Sequence, residues 1–280
     1  MTRRNDTIKT IAMLTMLIDH IGVLLFPSLR ILRTIGRIAF PIFAYQVAKG
    51  YSYTSDKKKY SFRMFIFGLI SQVPYVFLNK DLIPNYFHFN VMILFLYSLG
   101  VLFIFDLLKE SKSYVRSILL FIALVSAIVL PQVLEFRFDS FAFSYSTYGI
   151  LMILIFYIFD GKWIPIIISY ICLSFISTYE SGAFYLAKYS EYWIGTKISY
   201  FEAWTRYDTV IENITKYKDG LRYLEGYFFQ ARSIMALPII IIFERFFNYV
   251  KLNKYIGYGF YPLHITILLI IRLIIGGPIS

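Results

Sequence analysis

Long apolar runs, broken by short basic groups, set the pattern of this chain. Six stretches carry no Asp, Glu, Lys or Arg at all: 64–79, 82–105, 117–134, 140–159, 163–179 and 255–271. A helix needs about 20 mostly apolar residues to cross a bilayer. With three weaker stretches added, the pattern predicts about nine helical spans: 8–26, 34–54, 62–79, 86–107, 115–134, 144–159, 163–186, 228–248 and 256–276. The runs are too long, and alternate too little, for barrel strands. The expectation is an all-α, polytopic membrane helical bundle forming a single domain over 1–280. The segment 187–227 is the one sizeable polar stretch. It holds Trp193, Trp204 and six acidic residues, and reads as a loop outside the cytoplasm with short interfacial helices.

Composition supports this reading. Hydrophobic residues make up 58% of the 280 residues and charged residues 16%, with 28 Phe and 25 Tyr. A water-soluble domain carries about 25% charge, and disordered chains are poor in aromatic residues. The run after Arg3, Arg4 and Lys9 contains Asp19 and His20 and no small-residue cleavage site, so it reads as a retained first span. The lone cysteine, Cys172, excludes an intramolecular disulfide and a Cys-based metal site; no metal is expected.

The net charge of +11 comes from basic residues scattered between apolar runs. That spacing fits membrane topology and lipid contact rather than nucleic-acid binding. An N-terminus on the inner side places 15 of the 28 basic residues inside, and seven of the other 13 lie in or beside the long polar segment. Long segments weigh little in this rule. The expectation is therefore a multi-pass protein of the cell (inner, cytoplasmic) membrane with a cytoplasmic N-terminus.

Polar residues at membrane depth carry the candidate chemistry. Asp19 falls well inside the first expected span, where a carboxylate costs about 2.5–3.5 kcal/mol on insertion scales. The next cations along the chain are Arg30, Arg33 and Arg37, and the depths favour Arg37, as a structural clamp or as part of a site. His20 has the unperturbed pKa, about 6.5, of a proton-transfer group. One residue along a helix is a turn of about 100°, so Asp19 and His20 are not expected to face one spot. His264 falls at a similar depth in the last span, so the two imidazoles could line one cavity or be separate core residues. Pro41 and Pro262 free the carbonyls of Arg37 and Tyr258, beside these same groups. His88 and Asn90 mark a polar entrance to the fourth span. No Walker A, GxGxxG or HExxH motif is present.

The stretches Leu14-Thr15-Met16-Leu17-Ile18-Asp19-His20-Ile21-Gly22 and Ile35-Gly36-Arg37-Ile38-Ala39-Phe40-Pro41-Ile42-Phe43-Ala44 resemble the opening of the TraX family. Ile70-Ser71-Gln72-Val73-Pro74, Asn90, Tyr148-Gly149-Ile150, Ala236-Leu237-Pro238 and Phe260-Tyr261-Pro262-Leu263-His264 extend the resemblance over nearly all spans. The resemblance implies a membrane-bound O- or N-acetyltransferase that takes acetyl-CoA from the cytoplasm as acyl donor. The acceptor would be a protein N-terminus, as in the pilin acetylation of the name-giving member, or an envelope glycan. It implies His20 as catalytic residue, with Asp19, Arg37 and His264 completing the site and Asn90 and Tyr261 toward substrate. Lys57, Lys58 and Lys59, with Lys49 and Arg63, could hold the donor's phosphates, or serve topology alone. Two other classes stay open: a transporter or flippase, and a non-catalytic assembly factor for a pilus or the envelope. Apart from membrane lipids and the acceptor, no partner is expected.

Overall fold

The computed structural model describes residues 5–79, 81–138, 140–215, 230–247 and 250–277. Arg3, Arg4 and the end of the polar segment, 216–227, lie outside the described residues. Helices form nearly everything described, and one hydrophobic core runs through most of them. In chain order these are α1 (Asp6–Leu24), α2 (Arg30–Gly36), α3 (Ala39–Tyr53), α4 (Lys57–Tyr75), α5 (Val91–Glu110), α6 (Tyr114–Arg137), α7 (Ser146–Phe159) and α8 (Trp163–Lys188). Three short helices follow, α9 (Ser190–Ile194), α10 (Tyr200–Thr205) and α11 (Tyr207–Thr215). A 3-10 turn at Gln230–Met235 then leads into α12 (Ala236–Phe246), and α13 (Lys254–Ile275) closes the chain.

Side-chain caps set several of the starts. Asn5, Asp56, Asn90 and Asn253 each accept a backbone N–H in the first turn of α1, α4, α5 and α13. Asn5 also ties the two ends of the chain together. Its amide donates to the carbonyls of Phe243 and Phe247 at 2.9 and 2.8 Å, satisfying the end of α12. Gly161, at φ +79°, makes the turn from α7 into α8.

Among the described residues, helix covers most of each of the nine expected spans, but the count of nine is not confirmed. Five helices among the described residues are long and apolar enough to cross a membrane: Asp6–Leu24, Val91–Glu110, Tyr114–Arg137, Trp163–Lys188 and Tyr255–Ile275. α3 has 15 residues, α7 has 14 and α12 has 11, and α4 opens on Lys57, Lys58 and Lys59 and carries Arg63. The expected span 34–54 is not one helix with a kink. It breaks at Arg37–Ile38, because Pro41 has no N–H to give Arg37 and fits without cost only in the first turn of a new helix.

The surface of α6 shows what the bundle is built to face. Only Leu124 and Pro131 of its 24 residues are buried, while Leu119, Phe121, Ile122 and Val133 are among its exposed side chains. An apolar surface of that extent belongs in lipid. Between α4 and α5, His88–Phe89 pairs in parallel with Ala142–Phe143, a two-stranded link that holds the α6–α7 connection against the α4–α5 connection. The described part of the polar segment is short helices, as expected. They pack Ile198, Ala203 and Val210 onto Ala183, Leu186 and Ala187 of α8.

Candidate functional site

A cavity of about 560 Å³ lies among α1, α2, α3, α6, α7, α8 and α13. Asp19, His20, Arg37 and Tyr261 all line it, and each is buried. Asp19 and His20 both reach it despite being neighbours, because they flank one face of α1: Met16, Asp19, His20 and Val23 line the cavity at i, i+3, i+4 and i+7. Asp19 points to α2 and His20 to α13.

Asp19 sits between two guanidinium groups. Arg33 donates to its Oδ2 at 2.7 Å, while Arg37 lies 3.5 Å from Oδ1. The depth argument named Arg37; the closer partner is Arg33, one helical turn earlier, where α2 runs beside the end of α1. Arg30 is exposed and lies outside the cavity lining. Gly36 makes this approach possible: a Cβ there would overlap the Asp19 carboxyl group.

His20 and His264, 244 positions apart, meet through Nδ1 of His20 and Nε2 of His264 at 2.7 Å. His264 Nδ1 lies 2.6 Å from the carbonyl oxygen of Phe260, one turn back. These contacts fix the protons of the neutral pair. A carbonyl can only accept, so His264 Nδ1 donates and its Nε2 keeps a lone pair. His20 Nδ1 must then carry the hydrogen, which leaves Nε2 unprotonated on a ring that lines the cavity. Tyr261 stands beside both rings, with centroids 6.2 Å from His20 and 5.8 Å from His264. His264 is not itself part of the lining; it supports His20 from behind.

The other wall comes from residues that averaged hydropathy hides. Ser177, Glu180, Ser181 and Tyr185 of α8 line the cavity, as do Gln132 and Glu135 of α6. On α8 the spacing is i, i+3, i+4 and i+8, one face of a helix. That period was readable in the sequence as a polar stripe within an apolar run. Glu180 accepts from the Tyr200 hydroxyl at 2.8 Å, and Glu135 accepts from the Phe143 N–H at 2.8 Å.

One expected placement is corrected. Asn90 is fully buried outside the cavity. Its side chain caps α5 through Met92 and Ile93 and donates to Gly68 and Gln72, so nothing remains for a substrate. His88 lies in the paired strand directly before α5, where partial burial holds its imidazole below the usual pKa.

The expected phosphate group is split. A second cavity, about 330 Å³, lies toward the N-terminal end of α1 and is lined by Lys9, Lys49 and Arg63 together with Asn5, Gln46 and Glu244. Arg63 is there, but Lys57, Lys58 and Lys59 are not. Lys57 bonds Asp106 at 2.9 Å and Lys59 pairs with Asp56, because the start of α4 turns them outward. Lys49 is held by Asp160 at 2.7 Å and by Glu244 at 3.5 Å. Phe43 lines both cavities. Among the described residues, no group of three or more His, Cys, Asp or Glu side chains could hold a metal ion.

A family model described as TraX protein matches residues 4–197. An uncharacterized protein from Rickettsia prowazekii (strain Madrid E) is 39% identical over 84 residues, which is 30% of this chain and 32% of that relative's length. No solved structure matches the chain.

Proposed function

Since the chain belongs to the TraX family and is a membrane protein, we propose that it is an integral membrane acyltransferase that moves an acetyl group from cytoplasmic acetyl-CoA to a hydroxyl or amine acceptor. One observation carries the reading: the Phe260 carbonyl, His264 and His20 form a hydrogen-bonded series that ends on an unprotonated nitrogen at a large polar cavity. That is the arrangement of an oriented general base. His20 Nε2 takes the proton of the acceptor O–H or N–H as that atom attacks the thioester carbonyl carbon. The new C–O or C–N bond forms, the C–S bond breaks, and the proton passes to the departing sulfur. Arg33 and Arg37 place positive charge on the same wall, where negative charge develops on the carbonyl oxygen. Tyr261 closes the site beside both imidazoles.

The second cavity supplies an entry for the donor. Lys9, Lys49 and Arg63 suit phosphate groups, and a thin acyl-bearing arm would reach the first cavity past Phe43. With the N-terminus cytoplasmic, that entry faces the cytoplasm.

Acetyl transfer from labelled acetyl-CoA by the purified protein in detergent tests the proposal. His20→Ala should lower turnover by about 10²-fold or more and leave the protein folded. Near wild-type transfer by this variant would overturn the histidine-base mechanism. The end-to-end cavities sharing Phe43 favour a second reading, a solute transporter. Solute uptake into proteoliposomes without acetyl-CoA would support it.

A further inference from the structure

The acceptor's chemical class is written in the wall opposite His20. The lining is rich in neutral hydrogen-bonding groups: Ser144, Ser146, Ser177, Ser181 and Gln132 share it with the hydroxyls of several tyrosines. Its formal charges nearly cancel, because the guanidinium groups of Arg33 and Arg37 stand with the carboxylates of Asp19, Glu135 and Glu180. A ligand with a strong charge of either sign gains little there. Glu135 and Glu180 each spend Oε1 on a fixed donor, the Phe143 N–H and the Tyr200 hydroxyl, and keep accepting capacity for ligand hydroxyls. Ser174 and Thr178 turn their hydroxyls back onto α8 itself. Ser177 and Ser181, on the cavity face, make no such bond.

Aromatic surface continues from the lining to the outside. Tyr185 lines the cavity and is 51% exposed. Its ring is parallel to that of Tyr189, with centroids 6.1 Å apart and planes within 9°. Flat, exposed rings beside a hydroxyl- and carboxylate-lined cleft suit a ligand that has apolar C–H faces and a rim of hydroxyls. The volume, about 560 Å³, is within the usual range of small-ligand sites, about 300–1,000 Å³.

We infer that this wall binds a neutral, polyhydroxylated saccharide, with Glu180, Ser181 and Gln132 taking its hydroxyls and Tyr185 its ring face. The inference rests on the acyl-transfer reading for what happens to the sugar, since it places a sugar hydroxyl before His20. The binding itself does not depend on that reading.

Binding of a neutral β-linked tetraglucoside to the full-length protein in detergent, followed by intrinsic fluorescence, tests it, with tetra-alanine as the peptide comparison. The saccharide should bind saturably and tetra-alanine should not. Glu180→Gln and Tyr185→Ala should each weaken the saccharide about tenfold or more, as loss of a charged acceptor or a stacking face does. Lys58→Gln, far from the cavity, should leave it unchanged. Ser181→Ala should weaken it as well; Glu180→Gln can still accept from Tyr200, and Ser181 makes no side-chain hydrogen bond among the described residues, so a loss in both is not a folding defect. Binding of tetra-alanine but not of the saccharide overturns the inference, and so does saccharide binding that none of the three variants alters. Labelled acetyl-CoA separates the two claims. Acetyl transfer onto tetra-alanine alone sustains acyl transfer and sinks the saccharide. Variant-sensitive saccharide binding with no acetyl transfer sustains the saccharide site and sinks acyl transfer.

Discussion

Removing the carboxylate of Asp19 should be the most damaging single change in the charged corner of the site. Its side chain is 11% exposed, that of Arg37 is 11% and that of Arg33 is 30%. Asp19→Asn leaves two guanidinium groups facing each other in a low-dielectric bundle without their anion. Breaking a buried pair in this way costs about 3–5 kcal/mol. For a chain of this size, about 2–4 °C of melting temperature accompanies each kcal/mol, so a fall of roughly 6–20 °C is expected. Arg33→Gln should cost less, about 1–2 kcal/mol, because its side chain is partly solvated and Asp19 keeps Arg37. The double variant Asp19→Asn/Arg33→Gln should then be more stable than the sum of the two, with a coupling of about 0.5–3 kcal/mol. Thermal unfolding of the four purified proteins in one detergent measures this. Additive losses, or an Asp19→Asn protein that melts like wild type, would refute the pairing and with it the electrostatic picture of the cavity.

Three further outcomes are expected. His264→Ala should lower acetyl transfer about 10-fold or more by freeing His20 to take the other tautomer, whereas His264→Gln, whose amide oxygen can accept from His20 Nδ1, should retain more; equal rates for the two variants would deny His264 its orienting part. Gly36→Ala should destabilise by about 1–3 kcal/mol and loosen Asp19 from Arg33, because a Cβ there overlaps the carboxyl group; an unchanged unfolding curve would contradict this. Lys9→Gln and Arg63→Gln should weaken CoA binding measured by calorimetry, while Lys57→Gln and Lys58→Gln should not; the reverse ranking would return the phosphates to the start of α4.

Much of this site was legible in the sequence, because a polar residue in an apolar span has few reasons to be there. Asp19, His20, Arg37 and His264 stood out on that ground, Tyr261 entered with the family resemblance, and the fold gathers them. What escaped was direction. Lys57, Lys58 and Lys59 form the densest basic cluster of the expected group, yet a cluster in sequence spreads around a helix, and these point outward. Lys9 and Lys49 reach the second cavity singly. Arg33 lost to Arg37 because depths counted from expected helix ends ignore the break at Arg37–Ile38. Glu180 and its serines were diluted by the isoleucines of α8, none of which lines the cavity. The shortness of α3 and α12 was likewise hidden, since hydropathy reports how greasy a stretch is and not where its helix stops; α7 nearly fills its expected span, 144–159.

One feature of the bundle bears on how the protein is made. Asn5 holds Phe243 and Phe247, Asp6 accepts from the Leu252 N–H at 2.9 Å, and His20 on α1 meets His264 on α13. α1 leaves the ribosome ahead of α13 and therefore waits through the synthesis of more than 200 residues before its partner exists. During that interval Asp19 already has Arg33, but His20 has no acceptor for its ring hydrogen. A nascent or C-terminally shortened chain holds the charged corner without the oriented base. The two imidazoles can pair only after α13 has joined the bundle, so the histidine pair is among the last contacts that the chain completes.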